Sequence, residues 1–274
     1  MYTNLVSLLS KRFCAAIMLL LIAACARPGT GGPVQAQTVQ SGRLSFVGQT
    51  FADSVPMTSF ADKAQGKVLV LEFERCTFSK TATFTGAGTE FSSFPYTCIF
   101  KDCTFEGDMQ AGQTQFAGRL NLVKCRFKKK VNFQNCTFSA PVGFRTCSFD
   151  GDASWNNSLF MREASFMDSH FFDVARLQAC RFLAQAMFGN AVFHKNADLT
   201  LCRFDEGAWF DYGVFMGQAD FGSTRALGPL SFRQTQTERL LLNNLTAYDK
   251  VNLSGLVAKD STRLQGAVFW RGRP

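Results

Sequence analysis

The sequence predicts an all-β fold in which very short strands alternate with corners, so that the chain coils instead of forming flat sheets. Three observations lead to this prediction. Phenylalanine dominates the aromatic residues, with 30 Phe against 4 Tyr and 3 Trp in 274 residues. It recurs at spacings of five and six residues, and the residues between its copies are mostly poor helix formers. Phenylalanine therefore has a repeated structural role in this chain.

The phenylalanine repeat is most regular between Phe105 and Phe221. A strict alternation of six-residue and five-residue steps generates 22 positions there, and they hold 17 Phe, three Leu, Trp155 and Ala111. Two residues before most of these positions stands a small or apolar side chain, usually Ala, Cys or Val. The repeating unit is therefore small-x-Phe-x-x, with one extra residue in every second copy.

The spacing excludes two of the three regular backbones. In a flat strand, successive side chains alternate between faces, so a step of five would send Phe133 and Phe138 to opposite sides. In an α-helix, at about 100° per residue, Phe133 and Phe138 lie about 140° apart, which gives two opposed stripes and no single buried face. A short strand that buries positions i−2 and i, followed by a corner, fits the pattern. Each unit then forms one side of a coil.

Runs such as NADLTLCRF (196–204) and GQADFG (217–222) resemble the A-(D/N)-(L/F) consensus of the pentapeptide repeat family, in its Phe-rich variant with eleven residues per double repeat. The resemblance implies a right-handed quadrilateral parallel β-helix with four repeats and about 22 residues per coil. We assign residues 44–274 to this region, with 103–221 as its most regular part. Departures are expected at Thr85–Pro95, where the spacing slips, and between Cys98 and Phe105, where an extra residue is missing.

Residues 1–24 are predicted to be a signal peptide. Lys11 and Arg12 precede an apolar run over 13–23 that is too short to span a bilayer. The sequence before Cys25 resembles the lipobox of bacterial lipoproteins, which implies cleavage before Cys25 and attachment of a lipid to it. The alternatives are an ordinary signal peptide cut nearby and an uncleaved anchor.

The residues after the predicted cleavage site indicate a location in the cell envelope. In the family of lipoproteins that the lipobox resembles, an aspartate after the lipidated cysteine usually retains the protein at the inner membrane. Ala26 stands there, so the outer membrane is favoured. Residues 25–43 are rich in Gly, Pro, Gln, Ser and Thr and are predicted to be a flexible tether.

The coil repeat also predicts which charges stack on one another. The run 128–130 is Lys-Lys-Lys, and the segments 22 positions earlier and later read Glu-Gly-Asp (106–108) and Asp-Gly-Asp (150–152). Three lysines between two acidic corners form a solvated charge ladder. This arrangement disfavours both a nucleic-acid patch and a calcium corner. With a net charge of +8, spread over 29 basic and 21 acidic residues, the chain lacks the dense basic block of a nucleic-acid arm, and no nucleic-acid partner is expected.

Eight cysteines follow Cys25, all at the small position of the repeat. Counting by one coil predicts three stacks: Cys76 over Cys98; Cys103 over Cys125 over Cys147; and Cys180 over Cys202. Cys136 has no partner in this scheme. We favour small buried apolar filler over disulfides, because stacked side chains point the same way and strain a bridge. Zinc is disfavoured, since no CxxC pair exists.

Catalytic chemistry is scarce in the sequence. The two histidines, His170 and His194, occupy outward positions that are more than one coil apart, so they are not expected to stack as a pair. The acidic residues of the C-terminal half are spread among outward columns, and the core is filled with Phe, which leaves no obvious cleft. There is no Gly-rich phosphate loop and no nucleophile elbow. We therefore predict no enzyme activity, no cofactor and no metal site.

One predicted surface is apolar. Outward positions in the C-terminal half carry a set of residues that we call the Trp209 patch: Phe172, Met187, Val192, Trp209, Tyr212, Val214 and Met216. The coil arithmetic places Met187 beside Trp209 and Val192 beside Val214. Clustered apolar residues with Trp and Tyr are typical of an interface. The alternative is that residues 227–274 fold back over the patch as a cap.

These observations leave three function classes. The first is a lipid-anchored scaffold rod of the cell envelope that presents the Trp209 patch to an envelope protein partner or to a second copy. The second is binding of an anionic envelope glycan or lipid, which only the net charge supports. The third comes from the resemblance, since some pentapeptide repeat proteins mimic duplex DNA and protect topoisomerases. A basic, exported chain disfavours this third class.

Overall fold

The computed structural model describes residues 38–40, 42–63, 69–85 and 91–272, and over these ranges the chain is a parallel β-solenoid. The prediction of an all-β coil with about 22 residues per turn is confirmed. Thr104 and Phe105, for example, pair in register with Arg126 and Phe127 of the next turn. The described helix, α1, is Thr58–Lys63. The right-handed sense and the square cross-section stay predictions.

Each turn contributes strands to four columns, whose members pair in parallel with the strands one turn away. Column 1 contains β2 (Arg43–Val47), β5 (Val70–Glu74), β9 (Thr97–Lys101), β13 (Leu120–Val123), β17 (Val142–Arg145), β21 (Ala164–Ser165), β25 (Ala186–Met187), β29 (Ala208–Trp209), β32 (Leu230–Ser231) and β35 (Val251–Asn252). Column 4 contains β8 (Ser92–Phe94), β12 (Thr114–Phe116), β16 (Thr137–Phe138), β20 (Leu159–Phe160), β24 (Arg181–Phe182), β28 (Arg203–Phe204), β31 (Arg225–Ala226), β34 (Thr246–Ala247) and β37 (Val268–Phe269).

Columns 2 and 3 join into one sheet near the C-terminal end. Column 2 contains β3 (Thr50–Phe51), β6 (Thr77–Phe78), β10 (Thr104–Phe105), β14 (Arg126–Phe127), β18 (Ser148–Phe149), β22 (His170–Phe171) and β26 (Val192–Phe193). Column 3 contains β4 (Val55–Pro56), β7 (Ala82–Thr83), β11 (Met109–Gln110), β15 (Val131–Asn132), β19 (Ala153–Ser154), β23 (Ala175–Arg176) and β27 (Ala197–Asp198). Longer strands then span both columns: β30 (Val214–Asp220), β33 (Gln236–Leu241) and β36 (Val257–Arg263).

The core consists of stacked rings, as the repeat predicts. In column 2 the rings stack from Phe51 to Phe215, and neighbouring centroids such as those of Phe149 and Phe171 lie 4.7 Å apart. Each stacked pair contributes about 0.5–1.5 kcal/mol beyond the area that it buries. The phenylalanine spacing thus puts one ring directly on the next.

One corner in each eleven residues has a left-handed backbone. From Lys124 to Ser223, a non-glycine residue with φ between 54° and 60° recurs every eleven positions. These corners close the five-residue steps of the repeat, while the six-residue steps use a corner without such a residue. The alternation of five and six residues is therefore an alternation of two corner types.

The N-terminal coils are longer than the others. Arg43 pairs with Val70, and Val70 with Thr97, so both of these turns exceed the regular coil. In the second turn the extra residues fall between Ala82 and Ser92, where a slip was predicted. The second predicted departure is wrong. The strands on both sides of the segment from Cys98 to Phe105 pair with the next turn at the regular spacing, so no residue is missing there.

One boundary differs from the sequence prediction. Within the predicted tether, β1 (Thr38–Gln40) pairs antiparallel with β2, so the described strands begin before residue 44. At the other end, residues 225–272 continue the solenoid through β31 to β37. The alternative that residues 227–274 fold back as a cap is therefore wrong for the part of this segment that the structure describes.

Candidate interaction surface

The Trp209 patch is built on two adjoining columns of strands. Met187 and Trp209 pair in register in column 1, and Val192 and Val214 pair in column 2, as the coil arithmetic predicts. Strand residues alternate between core and surface, so the alanines before Met187 and Trp209 are buried while these two side chains stand outside, partly buried. Parallel strands ~4.8 Å apart hold these side chains in direct contact range.

The remaining patch residues lie at and beyond the corner between these columns. Tyr212 occupies the left-handed corner with φ 58° and is 50% exposed. Phe172 and Met216 follow column 2 and are 44% and 54% exposed. The structure thus gathers the predicted residues into one region that runs around a corner of the solenoid.

The two histidines lie beside Phe172, at the edge of this region. The ring of His194 stacks on that of Phe172 with centroids 4.3 Å apart, and the rings of His170 and His194 lie 5.9 Å apart. Counting by one coil places His194 over Phe172, as observed, and the ring of Phe172 also lies 6.0 Å from that of His170. The Nε2 atom of His194 is buried without a hydrogen-bond partner in the structure. His194 is therefore an unpredicted member of the surface.

A groove of about 370 Å³ extends the patch along column 1. Met167 and Met187 line it together with the charged residues Arg119, Arg145 and Glu163. The sequence already indicated this groove. Ser165 and Gly143 occupy the outward positions one and two turns before Met187, and their small side chains leave space that larger ones would fill.

Charged residues stand at the edge of the patch. The guanidinium of Arg233 lies 5.0 Å from the ring centroid of Tyr212 and forms an ion pair of 3.3 Å with Asp211. A cation over an aromatic face is attracted by the ring quadrupole, which holds the exposed Tyr212 ring in place. The surface therefore combines an apolar centre with a polar rim, as many protein interfaces do.

The eight cysteines from Cys76 to Cys202 are all buried and free in the structure. The predicted stack of Cys76 over Cys98 is wrong, because the longer N-terminal turn places Cys76 over Cys103 instead. Cys103, Cys125 and Cys147 continue that stack, as predicted, and Cys180 stacks on Cys202. Except for Cys98, each thiol lies within 2.9–3.6 Å of a carbonyl oxygen of an earlier turn.

Two of these thiols have a pKa well above that of a free cysteine. Burial raises the pKa of Cys136 to about 12. The hydrogen bond from a neighbouring thiol, that of Cys125, is the main cause that raises the pKa of Cys103 to about 12. Because the thiolate is the reactive form, Cys103 and Cys136 stay protonated at neutral pH and are poor nucleophiles.

The predicted charge ladder is present in part. Lys128 Nζ lies 2.7 Å from Glu106 Oε1, and the Lys130 amide donates to Asp108. On the other side, Asp150 pairs with Arg126. These pairs are solvent-exposed and contribute little individually, so the lysine run is not a site.

Two further findings concern metal binding and membrane spanning. Within the described ranges, no group of three or more His, Cys, Asp or Glu side chains is arranged to hold a metal ion. No described helix is long and apolar enough to cross a bilayer. Cys25 and the signal peptide lie outside the described residues, so the lipid anchor stays a prediction.

Comparison with known proteins yields one match. The family described as pentapeptide repeats matches residues 133–181, with nine copies of the repeat. This match supports the family that the repeat resembles, and with the solenoid it indicates a non-catalytic repeat protein. Searches of curated proteins and of solved structures find no match to the chain.

Proposed function

We propose that this chain is an interaction rod of the bacterial cell envelope, anchored through a lipid on Cys25, which presents the Trp209 patch to a protein partner or to a second copy. The observation that carries the proposal is the pairing of Met187 with Trp209 and of Val192 with Val214 on adjoining columns. The three turns before Met187 carry Ser165, Gly143 and Asn121 at the position equivalent to Met187 and Trp209. The apolar surface is thus local, which is typical of a binding site.

The solenoid makes this surface rigid before binding. Each strand that carries a patch residue is hydrogen-bonded to the turns on both sides, so little backbone entropy is lost on association. Trp and Tyr, with few rotamers and large apolar area, are frequent energetic centres of interfaces. Trp209 and Tyr212 are residues of these two types, and they lie three positions apart in the sequence.

The location rests on the N-terminal sequence. A lipid on Cys25 would hold the rod at a membrane, and Ala26 favours the outer membrane over the inner one. The tether over residues 25–43 would set the distance between the membrane and the first coil. A rod anchored at one end places the Trp209 patch, in its C-terminal half, away from the bilayer.

A second candidate function is binding of an anionic envelope glycan or lipid. Arg181, Arg203 and Arg225 stack in register in column 4, where like charges on adjacent strands oppose each other. Arg181 and Arg203 share the carboxylate of Asp205, at 3.4 and 2.5 Å. An anionic ligand would reduce the repulsion between these stacked guanidinium groups. DNA mimicry stays disfavoured, because it requires an acidic rod.

Crosslinking in intact source cells tests the first candidate. Wild type, Trp209→Glu and Trp270→Glu are each crosslinked and captured, and the companions are identified by mass spectrometry. Trp270 is 68% exposed and lies outside the patch, so it controls for the substitution itself. We expect an envelope protein, or a crosslinked dimer, with wild type and Trp270→Glu, and its loss with Trp209→Glu, because a buried charge at an interface centre is strongly unfavourable.

Two results would contradict the proposal. Identical companions from all three proteins would show that the patch is not the contact surface. Loss of the crosslinked protein with Trp270→Glu alone would show that the interface lies on column 4 and not on the Trp209 patch. Extraction with detergent but not with salt checks the lipid anchor, and the requirement for detergent should disappear in Cys25→Ser if that residue carries the lipid.

A further inference from the structure

A second, chemically different surface lies in the N-terminal half of the solenoid. Two shallow grooves of about 610 and 450 Å³ run on either side of the corner between columns 3 and 4. Gln113 and Asn135, one turn apart at that left-handed corner, line both grooves. They form a ridge between the two depressions, and we call the whole the amide surface.

No described residue that lines the amide surface carries a charge. Its side chains are Ser, Thr, Asn and Gln with one glycine and one phenylalanine, in a chain in which 18% of residues are charged. Phosphate and carboxylate ligands are bound through cations in proteins, so this composition disfavours an anionic ligand. An uncharged ligand with many hydrogen-bonding groups fits it.

Several amide groups of this surface are available to a ligand. Asn132 donates to Gln110 Oε1 at 3.1 Å and accepts from the Gln134 amide at 3.0 Å, which fixes the floor of the larger groove. The side chains of Gln113 and Asn135 form no hydrogen bond with the residues that the structure describes. Each amide offers two donors and one acceptor, which suits hydroxyl groups that both donate and accept.

One further feature belongs to the smaller groove. Phe91 is 75% exposed at its edge, although an isolated ring gains nothing from water contact. An aromatic face beside amide groups such as those of Gln113 and Asn135 can pack against the C–H face of a sugar ring while the amides bind its hydroxyls.

The amide surface also repeats. Gln110 and Asn132, Gln113 and Asn135 are each one turn apart, so the same groups recur every ~4.8 Å along the solenoid. This step is close to the length of one pyranose unit in an extended chain. The grooves are open to solvent. Open grooves suit a polymer chain that lies along the solenoid axis better than they suit an enclosed small molecule.

We infer that the amide surface binds an uncharged polysaccharide chain, whose sugar units lie along the solenoid axis and pack against Phe91. The inference is independent of the Trp209 patch, because the two surfaces lie on different columns and in different halves of the solenoid. It also differs from binding of an anionic glycan, since electrostatic attraction has no part in it.

Titration calorimetry on the full-length protein in detergent tests the inference. The probes are cellohexaose, chitohexaose and maltohexaose, which differ in linkage and in their acetamido groups. We expect at least one to bind, with an affinity that is the same at low and high salt. Phe91→Ala and Asn135→Ala should each weaken binding by at least about fivefold, the equivalent of one lost hydrogen bond or stacking contact.

Matched controls come from the other half of the molecule. Phe172→Ala removes an exposed ring, and Asn190→Ala removes an asparagine from a corner with φ 57°. Both should bind the hexasaccharide as wild type does. Failure of all three probes to bind, equal weakening by the controls, or loss of binding in high salt would each overturn the inference. Circular dichroism of every variant confirms that the solenoid is folded.

Discussion

At the scale of the residue, the position that follows each left-handed corner has a recurrent role. Cys136 donates to the carbonyl of Ala111 at 2.9 Å, and Ser158 to that of Phe133 at 2.7 Å. In both cases the acceptor belongs to the preceding turn. A thiol and a hydroxyl are both small and carry one proton, so either satisfies this buried carbonyl. Cysteine is thus a buried donor, in addition to the small filler that the sequence predicts.

Replacing Cys136 by Ser should leave stability at neutral pH within about 1 kcal/mol of wild type, because the donor is kept. The two proteins should diverge at high pH. Burial raises the pKa of Cys136 to about 12, whereas an unfolded thiol ionises near 9.0. Above pH 9 the unfolded state loses a proton that the folded state keeps, so wild type loses about 1.4 kcal/mol per pH unit more than Cys136→Ser, until pH 12. Urea unfolding at several pH values measures this difference.

Ser169→Ala is the control for this prediction. Ser169 donates to the Phe144 carbonyl at 2.6 Å but does not ionise, so its removal should cost about 1 kcal/mol equally at every pH. Parallel curves for wild type and Cys136→Ser would show that Cys136 does not carry the alkaline instability.

At the scale of the element, the corners determine how the strands follow one another. Left-handed backbone costs about 1–2 kcal/mol for ordinary residues, and least for Gly and Asn. Asn135, Asn157 and Asn190 occupy such corners, as expected. Thr146, which is β-branched, has φ 55° and is exposed. This corner is held by the hydrogen bonds of the adjoining turns and not by the preference of its own residue.

Thr146→Gly should stabilise the solenoid by about 1 kcal/mol, because glycine adopts a positive φ without steric cost. Thr137→Gly is the matched control: Thr137 lies in the strand β16, where the same change should destabilise by about 0.5–1 kcal/mol. Thermal unfolding compares the variants. A loss of stability in both would mean that the corner is not strained at Thr146.

The elements also show what the sequence could predict. The ring stacks and the pairing of Met187 with Trp209 follow from counting along the chain by one coil, because neighbouring turns are hydrogen-bonded in fixed register. Counting fails where a turn has another length, and Cys76 therefore stacks on Cys103.

The amide surface is harder to predict than the Trp209 patch. Its residues come from four turns and two columns, and each of them alone resembles an ordinary surface residue. Counting by one coil places Gln113 beside Asn135, but only the corner between columns 3 and 4 brings both grooves to these two residues. Its larger depression depends further on the absence of a side chain at Gly112.

At the scale of the whole molecule, the two ends of the described solenoid differ. At the N-terminal end, Phe60 of α1 is 5% exposed and packs on the rings of the first turns. In the last described turn, inward side chains such as Leu253 and Phe269 are only partly buried, whereas their partners one turn earlier are fully buried. A solenoid needs a cover over its terminal rings, and α1 supplies one at the first turn.

Phe60→Ala tests how far the effect of that cover extends. The Phe60 ring lies 4.9 Å from that of Phe46 and 5.4 Å from that of Phe73, and its removal should cost about 3–5 kcal/mol locally. Because each turn contacts only its neighbours, we expect faster amide hydrogen exchange in β2 and β5 and unchanged exchange in β17. Phe144→Ala, in the middle of the solenoid, should instead increase exchange in β13, β17 and β21. If Phe60→Ala accelerated exchange equally in β17, the turns would unfold as one cooperative unit, and a rod built from independent neighbouring turns would be the wrong description.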